Sequence, residues 1–571
     1  MRSYISLLGF LFTSVTVFAQ NSPLQNADDS SHILNEVEIT ANTNPNKKLI
    51  YLPQSIVKLN EVELKRGTGL FLNDAINTNV PGVYMQTRSS SGGQAFNIRG
   101  YGNGARGTNG INSNFDNQGS KIYLNGIPVT DPEGITVLDD IDFGSIGNVE
   151  IIKGPAGSLY GLAIAGVVNL RTIKPEKNKI SIGQDVLVGS YGLARYTTHL
   201  QIGTDSSTVL VNYGKQQFDG FMPHTASHKD FVNMFGEFQL SAKQSINAYF
   251  GYSNSYDERN GELTIKQFEE NDFSGNPNYI KNNAHSEVIG IRAGVGHTYK
   301  FSNHFANTTS LFGSSQNTNA SSAGGWTDRL PVNYGLRSTL DMKFGLGEKM
   351  NLSGVAGIET QIQNSQTIGF AMVVDSQDIS GYNIIGAQRS NQSTQTKTTS
   401  VFTEWTLTLA YEISLTAGIG MSNMGIELND RTYSAATNHP NSKRIPTHFE
   451  NTYDKLVSPH VAINKVFAKK FSVFASYSTG YKAPVSSYFF IPFTGAVNTG
   501  LKPEKGVQFE VGTKGSLIQD RLHYQLAAFN AVFSDKMTAV AVANSTNTAT
   551  LYSYVANGGN QDHKGLEALV S

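Results

Sequence analysis

Short runs of alternating apolar and polar residues recur from residue 179 onward. In residues 507–514, Val507, Phe509 and Val511 alternate with polar residues and glycine, and residues 244–252 and 471–481 repeat the pattern. A period of two places successive side chains on opposite faces of a strand. The pattern therefore predicts an antiparallel sheet with one apolar face and one polar face.

The connections between these runs alternate in length. Short turns, such as residues 204–206 and 302–304, are separated by longer polar segments, such as residues 257–286 and 366–395. Because lipid offers no hydrogen bonds to the backbone, strands that cross a membrane must close on themselves. Short turns at one end and long loops at the other are typical of outer-membrane barrels. The spacing therefore predicts a transmembrane β-barrel rather than a soluble β-sandwich.

Residues 146–172 follow a different pattern. An apolar run is broken at Gly154 and Pro155, passes through glycine, alanine and serine residues, and ends in a second apolar run. Gly reaches positive φ and Pro fixes φ at about −65°, so the break marks a turn. Small residues also let the backbone approach other elements closely. We predict a compact strand–turn–strand unit inside a tight enclosure.

The first residues are typical of a secretory signal. Arg2 precedes an apolar core at residues 5–18, and we expect cleavage after Ala19. Apolar and acidic residues then alternate over residues 34–41, which predicts an exposed segment able to add to the sheet edge of another protein. The alternative is a terminal tail without a partner.

Composition excludes several classes of protein. The chain has no cysteine, which rules out disulfides and thiolate metal sites. The net charge of −1 gives no electrostatic basis for nucleic-acid binding. No Ser/His/Asp set, paired carboxylate motif or HExxH spacing is recognisable, so we do not expect an enzyme.

Several stretches, in this order, resemble the TonB-dependent outer-membrane receptors. Lys153, Ala165 and Asn125 depart from that family's usual Arg, Gly and Asp. The stretches are residues 34–41 (the TonB box), 96–100 (FNIRG), 121–128 (KIYLNGIP), 149–170, 477–484 (YSTGYKAP) and 501–505.

The resemblance implies a mostly β fold: a transmembrane antiparallel β-barrel, with an N-terminal α+β plug domain in its lumen. About 16 of an expected 22 strands are recognisable, so we expect a barrel truncated at its C-terminus. The expected domains are a signal peptide (1–19), a periplasmic segment (20–48), the plug (49–175) and the barrel (176–571).

The resemblance also implies the function and the partners. The protein would transport a scarce ligand actively across the outer membrane of a Gram-negative bacterium. We expect a monomer that contacts outer-membrane lipid, the barrel-assembly machinery, a small extracellular ligand and the TonB–ExbB–ExbD complex. The residues expected to bind TonB are Leu34, Glu36, Val37, Glu38, Ile39, Thr40 and Ala41.

The resemblance assigns a second set of residues to the plug signature. Arg99 either belongs to a buried charge network that loosens when the plug is pulled, or simply braces the plug against the barrel wall. The signature residues are Arg99, Gly100, Asn125, Gly126, Glu150, Lys153, Gly154, Pro155, Tyr160, Gly161, Gly166 and Asn169.

The expected ligand is a ferric siderophore or another iron chelate, since such chelates are the commonest cargo of these receptors. Cobalamin, a redox cofactor, heme or another metal complex remain alternatives, as do a passive channel and a surface receptor. The protein is expected to have no cofactor of its own.

Four residues are candidates for ligand contact. Arg88 and Arg106 lie in glycine-rich plug loops and would suit an anionic ligand, although such loops are often only flexible. Trp326 would either stack on a ligand ring or mark the membrane boundary. His224 is more simply an exposed histidine than a metal ligand, because a metal site needs three or four converging ligands. No metal site is predicted.

Overall fold

A computed structural model describes most of the chain. The described residues are 48–66, 71–87, 89, 91–102, 118–377, 379–431, 448–491, 494, 496–518, 521–546 and 550–571. They all belong to one compact unit. The predicted signal at 1–19, the TonB box at 34–41, Arg88 and Arg106 lie outside the described residues.

Residues 48–172, called the plug from here on, form a small α+β unit. Its main sheet has five strands in the order β1-β6-β7-β4-β5, and β4 pairs with β7 in parallel. The elements are β1 (Ile56–Asn60), α1 (Glu61–Leu64), α2 (Asn73–Asn79), β2 (Val83–Gln86), β3 (Ala95–Ile98), β4 (Ser120–Leu124), β5 (Ile127–Pro128), β6 (Ile146–Lys153), α3 (Gly157–Tyr160) and β7 (Gly166–Thr172). Strands β2 and β3 form a separate hairpin.

Central strands of the plug are buried on both faces. β6 lies between β1 and β7, so both Val149 and Glu150 are fully buried although they point to opposite faces. Lys58 of β1 lies 3.8 Å from the Glu150 carboxylate, which offsets the cost of burying that charge. Apolar and polar residues alternate along β6 because its two faces lie in different buried environments, and neither face is exposed to solvent.

A sheet of sixteen strands, called the wall, packs against the plug core and has β8 and β27 as its edge strands, in agreement with the number of strands that the sequence predicted. Its order follows the chain from β8 to β27 with antiparallel pairing throughout. The strands are β8 (Lys179–Val188), β9 (Ala194–Gly203), β10 (Ser207–Phe218), β11 (Ser227–Ser241), β12 (Gln244–Glu258), β13 (His285–Lys300), β14 (Phe305–Ser322), β15 (Gly325–Gly345), β16 (Asn351–Val373), β17 (Ile384–Leu409), β18 (Ile413–Asp430), β19 (His448–Phe467), β20 (Phe471–Lys482), β23 (Glu504–Leu517), β24 (Leu522–Ser534) and β27 (Gln561–Val570).

The connections carry the remaining elements. Helices α4 (Ile265–Glu269) and α5 (Pro277–Lys281) lie between β12 and β13. Two short hairpins, β21 (Phe490–Ile491) with β22 (Ala496–Val497) and β25 (Met537–Ala543) with β26 (Thr550–Asn557), stand outside the wall sheet. Among the described residues, no helix combines the length and the hydrophobicity that crossing a bilayer requires.

The two faces of the wall differ as the alternation predicted. Phe509 and Val511 point outward and are more than half exposed, whereas Gln508 and Glu510 point inward and are buried. Asn247, on the inner face of β12, donates to the backbone oxygen of Asn125 in the plug, 2.8 Å away. The inner face is therefore the one that contacts the plug.

Strand lengths differ from the sequence expectation at one end of the wall. Residues 366–395 were expected to form a loop, but β16 and β17 continue as paired strands to Val373 and from Ile384. A tilted membrane strand needs only about 9–11 residues. Polar residues beyond that length remain paired in the sheet, because hydrogen bonds between the strands satisfy their backbone groups. We call this end the loop end and the opposite one the turn end.

The plug core and the inner wall form one hydrophobic cluster. Ile122, Val149 and Val168 of the plug pack in the same cluster as Leu210 and Phe533 of the wall. Complete burial of such a side chain contributes about 1.5–3 kcal/mol. The apolar contacts therefore hold the plug, and the polar contacts described next determine how it is seated.

Candidate functional site: the plug–wall interface

The signature stretch after β6 approaches the backbone of the wall closely. Gly154 and Gly161 have φ of 94° and 66°, which side chains rarely adopt. Gly420 of β18 lies so near Gly157 that an added Cβ would stand 2.3 Å from the Gly157 oxygen. The small residues thus allow helix α3 to lie directly against β18, as the sequence predicted.

Arg99, from the turn after β3, is the centre of a buried charge cluster. Its Nη1 lies 2.9 Å from Glu510, and its Nε and Nη2 donate to Glu567 at 3.0 and 2.9 Å. Lys153 reaches the same Glu567 at 2.5 Å and also donates to the Pro81 oxygen. All four charged side chains are buried. Two plug cations thus meet two wall carboxylates.

Arg99 holds this position in an uncommon backbone conformation. Its φ is 51°, in the left-handed region that non-glycine residues enter rarely. The guanidinium also lies 4.1 Å from the centre of the Phe529 ring, which favours a cation. Three charge-assisted hydrogen bonds and this ring contact offset the conformational cost.

On another side of the plug, which faces β9 and β13 of the wall, the signs of the charges are reversed. Asp140 accepts two hydrogen bonds from Arg292, at 2.6 and 3.0 Å. Asp142 accepts from Arg195 and, at 2.9 Å, from Asn212. Here the plug supplies carboxylates and the wall supplies cations.

Two wall carboxylates between these sides bind further plug groups. Glu359 accepts from Lys121 at 2.7 Å and from the Tyr123 hydroxyl at 3.1 Å, both in β4. Glu404 accepts from Ser158 of α3 at 2.8 Å and lies 2.8 Å from His460 of the wall. Charged or polar contacts therefore hold the plug on several sides.

Wall side chains near the turn end hold residues 48–55, the first described segment of the plug, which we call the entry segment. Lys514 donates to the Gln54 oxygen at 2.7 Å, and Asn464 donates to the Ile50 oxygen at 3.0 Å. Gln525 donates to the Ser55 hydroxyl at 2.7 Å. Lys514 is fully buried, and its ammonium lies 4.9 Å from the centre of the Phe474 ring. The buried ammonium of Lys514 thus donates to a backbone carbonyl of the plug.

A short plug loop near β16 and β17 carries two neighbouring carboxylates. Asp131 accepts from the backbone N–H groups of Glu133 and Ile135, and from Gln363 at 2.9 Å. Glu133 accepts from Thr396 at 2.9 Å and from the Ser486 N–H at 3.2 Å. Burial and then the Glu133 carboxylate raise the pKa of Asp131 to about 7. This loop therefore contains a group that titrates near neutral pH.

Comparison with known families decides the classification. The family model "TonB-dependent Receptor Plug Domain" matches residues 48–167, and "TonB dependent receptor-like, beta-barrel" matches residues 194–571. The chain belongs to the TonB-dependent receptor family. Receptors of this family are outer-membrane proteins and not enzymes, in agreement with the sequence analysis.

Solved TonB-dependent receptors share the fold. The ferric citrate transporter FecA, in its unliganded form, gives a TM-score of 0.70 at 15% identity over 92% of this chain and 75% of that chain. The ferric-catecholate import receptor Fiu from E. coli K12, in a closed form, gives 0.67 at 17% identity over 94% and 80%. Identities this low show a common fold only.

A curated relative is similar in sequence over part of its length. The vitamin B12 transporter BtuB of Vibrio vulnificus (strain CMCP6) is 28% identical over 223 residues, which are 38% of this chain and 32% of that protein. The match thus spans about a third of the relative's length.

The plug signature contributes to the interface in several ways. Arg99 and Lys153 meet the wall directly, whereas Asn125 and Gly126, with φ of 49° and 82°, form the tight turn between β4 and β5. The ring of Tyr160 lies beside Arg337 of the wall. The signature therefore combines contact residues with residues that shape turns.

The two described ligand candidates lie at the loop end. Trp326 is on the outer face of β15, where its indole donates to Asp328 at 2.6 Å and packs against His285. The Nε2 of His224 lies 3.0 Å from the Ala284 oxygen, and its Nδ1 lies 3.9 Å from Glu258. Contact of either residue with a ligand stays a prediction.

The sequence analysis missed the charged wall residues and two carboxylates of the plug. Glu510, Arg292 and Arg195 are single charges on the inner faces of otherwise ordinary strands, and Asp140 and Asp142 belong to the run LDDID. A charged residue at a position that the alternation places on the buried face could have indicated these contacts, since buried charges are normally paired.

Substituting Arg99 with Ala should lower the free energy of plug unfolding by about 3–5 kcal/mol, because Glu510 would stay buried without its ion-pair partner and Glu567 would keep only Lys153. Urea unfolding in detergent micelles measures this change. Lys65→Ala is the control: its pair with Glu61 is exposed, so we expect a loss of less than about 1 kcal/mol. Equal effects of the two substitutions would contradict the assignment.

Substituting Lys514 with Met should loosen the entry segment, because the Gln54 oxygen loses a charge-assisted hydrogen bond. The natural chain has no cysteine, so a single Leu52→Cys substitution reports exposure of this buried position. We expect maleimide labelling at residue 52 to become about 10-fold faster. Lys505→Met, at an exposed position of the same strand, should leave labelling unchanged. Unchanged labelling with Lys514→Met would refute the contact's role.

Asp131 should make plug stability depend on pH. A carboxyl whose folded pKa is raised from 3.8 to about 7 stabilises the fold below pH 4, and this contribution is lost as the pH rises through 7. Asp131→Asn keeps the carbonyl oxygen but removes the charge. Its melting temperature relative to wild type should therefore be higher at pH 8 than at pH 5, whereas exposed Asp562→Asn should show no such trend.

Proposed function

We propose that this protein is an active transporter that takes up a scarce ligand across the outer membrane and draws its energy from the TonB–ExbB–ExbD complex. The observation that carries the proposal is the plug itself, which is seated on the inner wall by buried ion pairs in which the plug supplies cations toward β23 and carboxylates toward β9 and β13. A passive channel has no need of such a plug.

The energetics favour a plug that opens only when driven. Breaking a buried ion pair by removing one partner costs about 3–5 kcal/mol. A partial movement that separated Arg99, Asp140 and Asp142 from their partners while the wall charges stayed buried would then cost on the order of 10 kcal/mol. Each 1.4 kcal/mol reduces the population of such a state about tenfold. Spontaneous opening would be too rare for uptake, so an external pull is required.

The point of attachment for this pull is residues Leu34–Ala41. The entry segment follows them in the sequence and is held by Lys514, Asn464 and Gln525 at the turn end, where a periplasmic partner would act. We further propose that the chain reaches the outer membrane as a monomer, after cleavage of residues 1–19 and through the barrel-assembly machinery.

The ligand is proposed to be an iron chelate. Two structural neighbours are a ferric citrate transporter and a ferric-catecholate import receptor, which supports this class. Cobalamin is the second candidate, because the curated relative is named a vitamin B12 transporter.

Deletion of residues 34–41 tests the proposal. In iron-starved cells, wild type should accumulate radioactive iron from a panel of ferric chelates, and the deletion variant should bind those chelates at the surface without accumulating them. Lys65→Ala serves as the control for expression and folding. Uptake that survives the deletion would refute energy coupling, and uptake of labelled cobalamin in place of iron would favour the second ligand.

A further inference from the structure

A group of polar side chains lies where the plug meets the loop end of β12 and β13. Asp257 and Ser286 are direct partners in the register of the two strands. Arg259 follows two residues after Asp257, and its backbone N–H donates to the Ala284 oxygen at 2.8 Å. Ser91 of the plug donates to Asp257 Oδ2 at 2.5 Å. We call Asp257, Arg259 and Ser286 the mouth triad.

Each member of the mouth triad has buried polar atoms to which no described residue is hydrogen-bonded. These atoms are Nε and Nη2 of Arg259, Oδ1 of Asp257 and Oγ of Ser286. A buried donor or acceptor without a partner costs about 1–3 kcal/mol. Other buried polar atoms, such as Glu510 Oε1 and Gln525 Oε1, also lack a described partner, but the triad brings two donor atoms of one guanidinium together with a carboxylate and a hydroxyl. Arg99 and Arg292, by contrast, use the same edge of the guanidinium to bind carboxylates.

The free atoms of Arg259 have a specific geometry. Nε and Nη2 lie on one edge of the guanidinium, and their two N–H bonds point in parallel. Parallel donors of this kind match the two oxygens of a carboxylate. Asp257 is close enough to interact electrostatically with Arg259 but makes no hydrogen bond to it, so this edge is left for another acceptor.

The remaining atoms complete a binding surface for more than a simple anion. Ser286 Oγ can donate to a carboxylate oxygen, and Asp257 Oδ1 needs a donor, such as a hydroxyl beside the carboxylate. Lys229, whose Nζ lies 3.4 Å from the Ser91 oxygen, adds positive charge at the same place. An anion with an adjacent hydroxyl would satisfy every free atom of the triad.

We propose that the mouth triad binds a carboxylate group of the transported ligand, with Arg259 as the bidentate donor and Asp257 as the acceptor for a neighbouring hydroxyl. This inference rests on the proposed transport function and names its ligand class as hydroxycarboxylate chelates. Because Asp257 is bonded to Ser91, a ligand held here contacts the plug through one intermediate side chain. Entry requires an outward shift of residues 260–284, where Tyr279 of α5 lies beside Arg259.

Calorimetric titration of the full chain in detergent with ferric citrate tests the proposal. Wild type should bind, and Arg259→Gln should weaken binding at least about 30-fold, since one partner of a charged bidentate pair is lost. Ser286→Ala, a smaller change, should weaken it about 3–10-fold. Arg431→Gln, at an exposed arginine of the loop end, should have no effect. Melting temperatures of all variants exclude misfolding.

The outcomes separate this inference from the transport proposal. Absence of saturable ferric citrate binding by wild type, or equal affinity in Arg259→Gln, overturns the triad assignment. The variant lacking residues 34–41 should still bind ferric citrate with wild-type affinity. Suppose that a neutral ferric hydroxamate is taken up only when residues 34–41 are present, and that ferric citrate does not bind. The transport proposal would then be supported and the carboxylate site refuted.

Discussion

The way the plug is seated in the wall depends on the need to pair charges that are removed from water. The inner face of the wall carries Glu510, Glu567, Arg195 and Arg292 at buried positions, and each is matched by a group of opposite sign on the plug. Neither part can bury these groups alone at an acceptable free energy. The plug thus completes the interior of the wall, and the wall supplies the partners that let the plug keep a polar surface.

The fold was largely predictable from the sequence because its elements carry local signals. The period-two runs predicted the strands, and Phe509 with Glu510 on opposite faces bears this out. The Gly154–Pro155 break predicted the turn before α3. The prediction was wrong where a polar composition suggested a loop, as in residues 366–395. A polar segment can also form paired strands, because its backbone groups then hydrogen-bond to each other.

The interface was predictable only on the plug side. Arg99 and Lys153 lie in recognisable motifs, whereas Glu510 and Glu567 are separated from Arg99 by more than 400 residues and have no local signature. Which wall residue meets which plug residue is determined by strand order and register, and these depend on long-range pairing. The mouth triad is harder still to anticipate, because the free edge of Arg259 becomes visible only when every neighbouring acceptor is known.

The reversed charge signs on the two sides of the plug have a consequence for assembly. Arg99 and Lys153 face carboxylates, and Asp140 and Asp142 face arginines. If the plug were rotated within the wall so that Arg99 and Lys153 faced Arg195 and Arg292, cations would face cations, and buried like charges repel strongly. The charge pattern therefore discriminates between rotational settings that apolar packing alone would tolerate, and a plug that re-enters the wall is guided back to a single orientation.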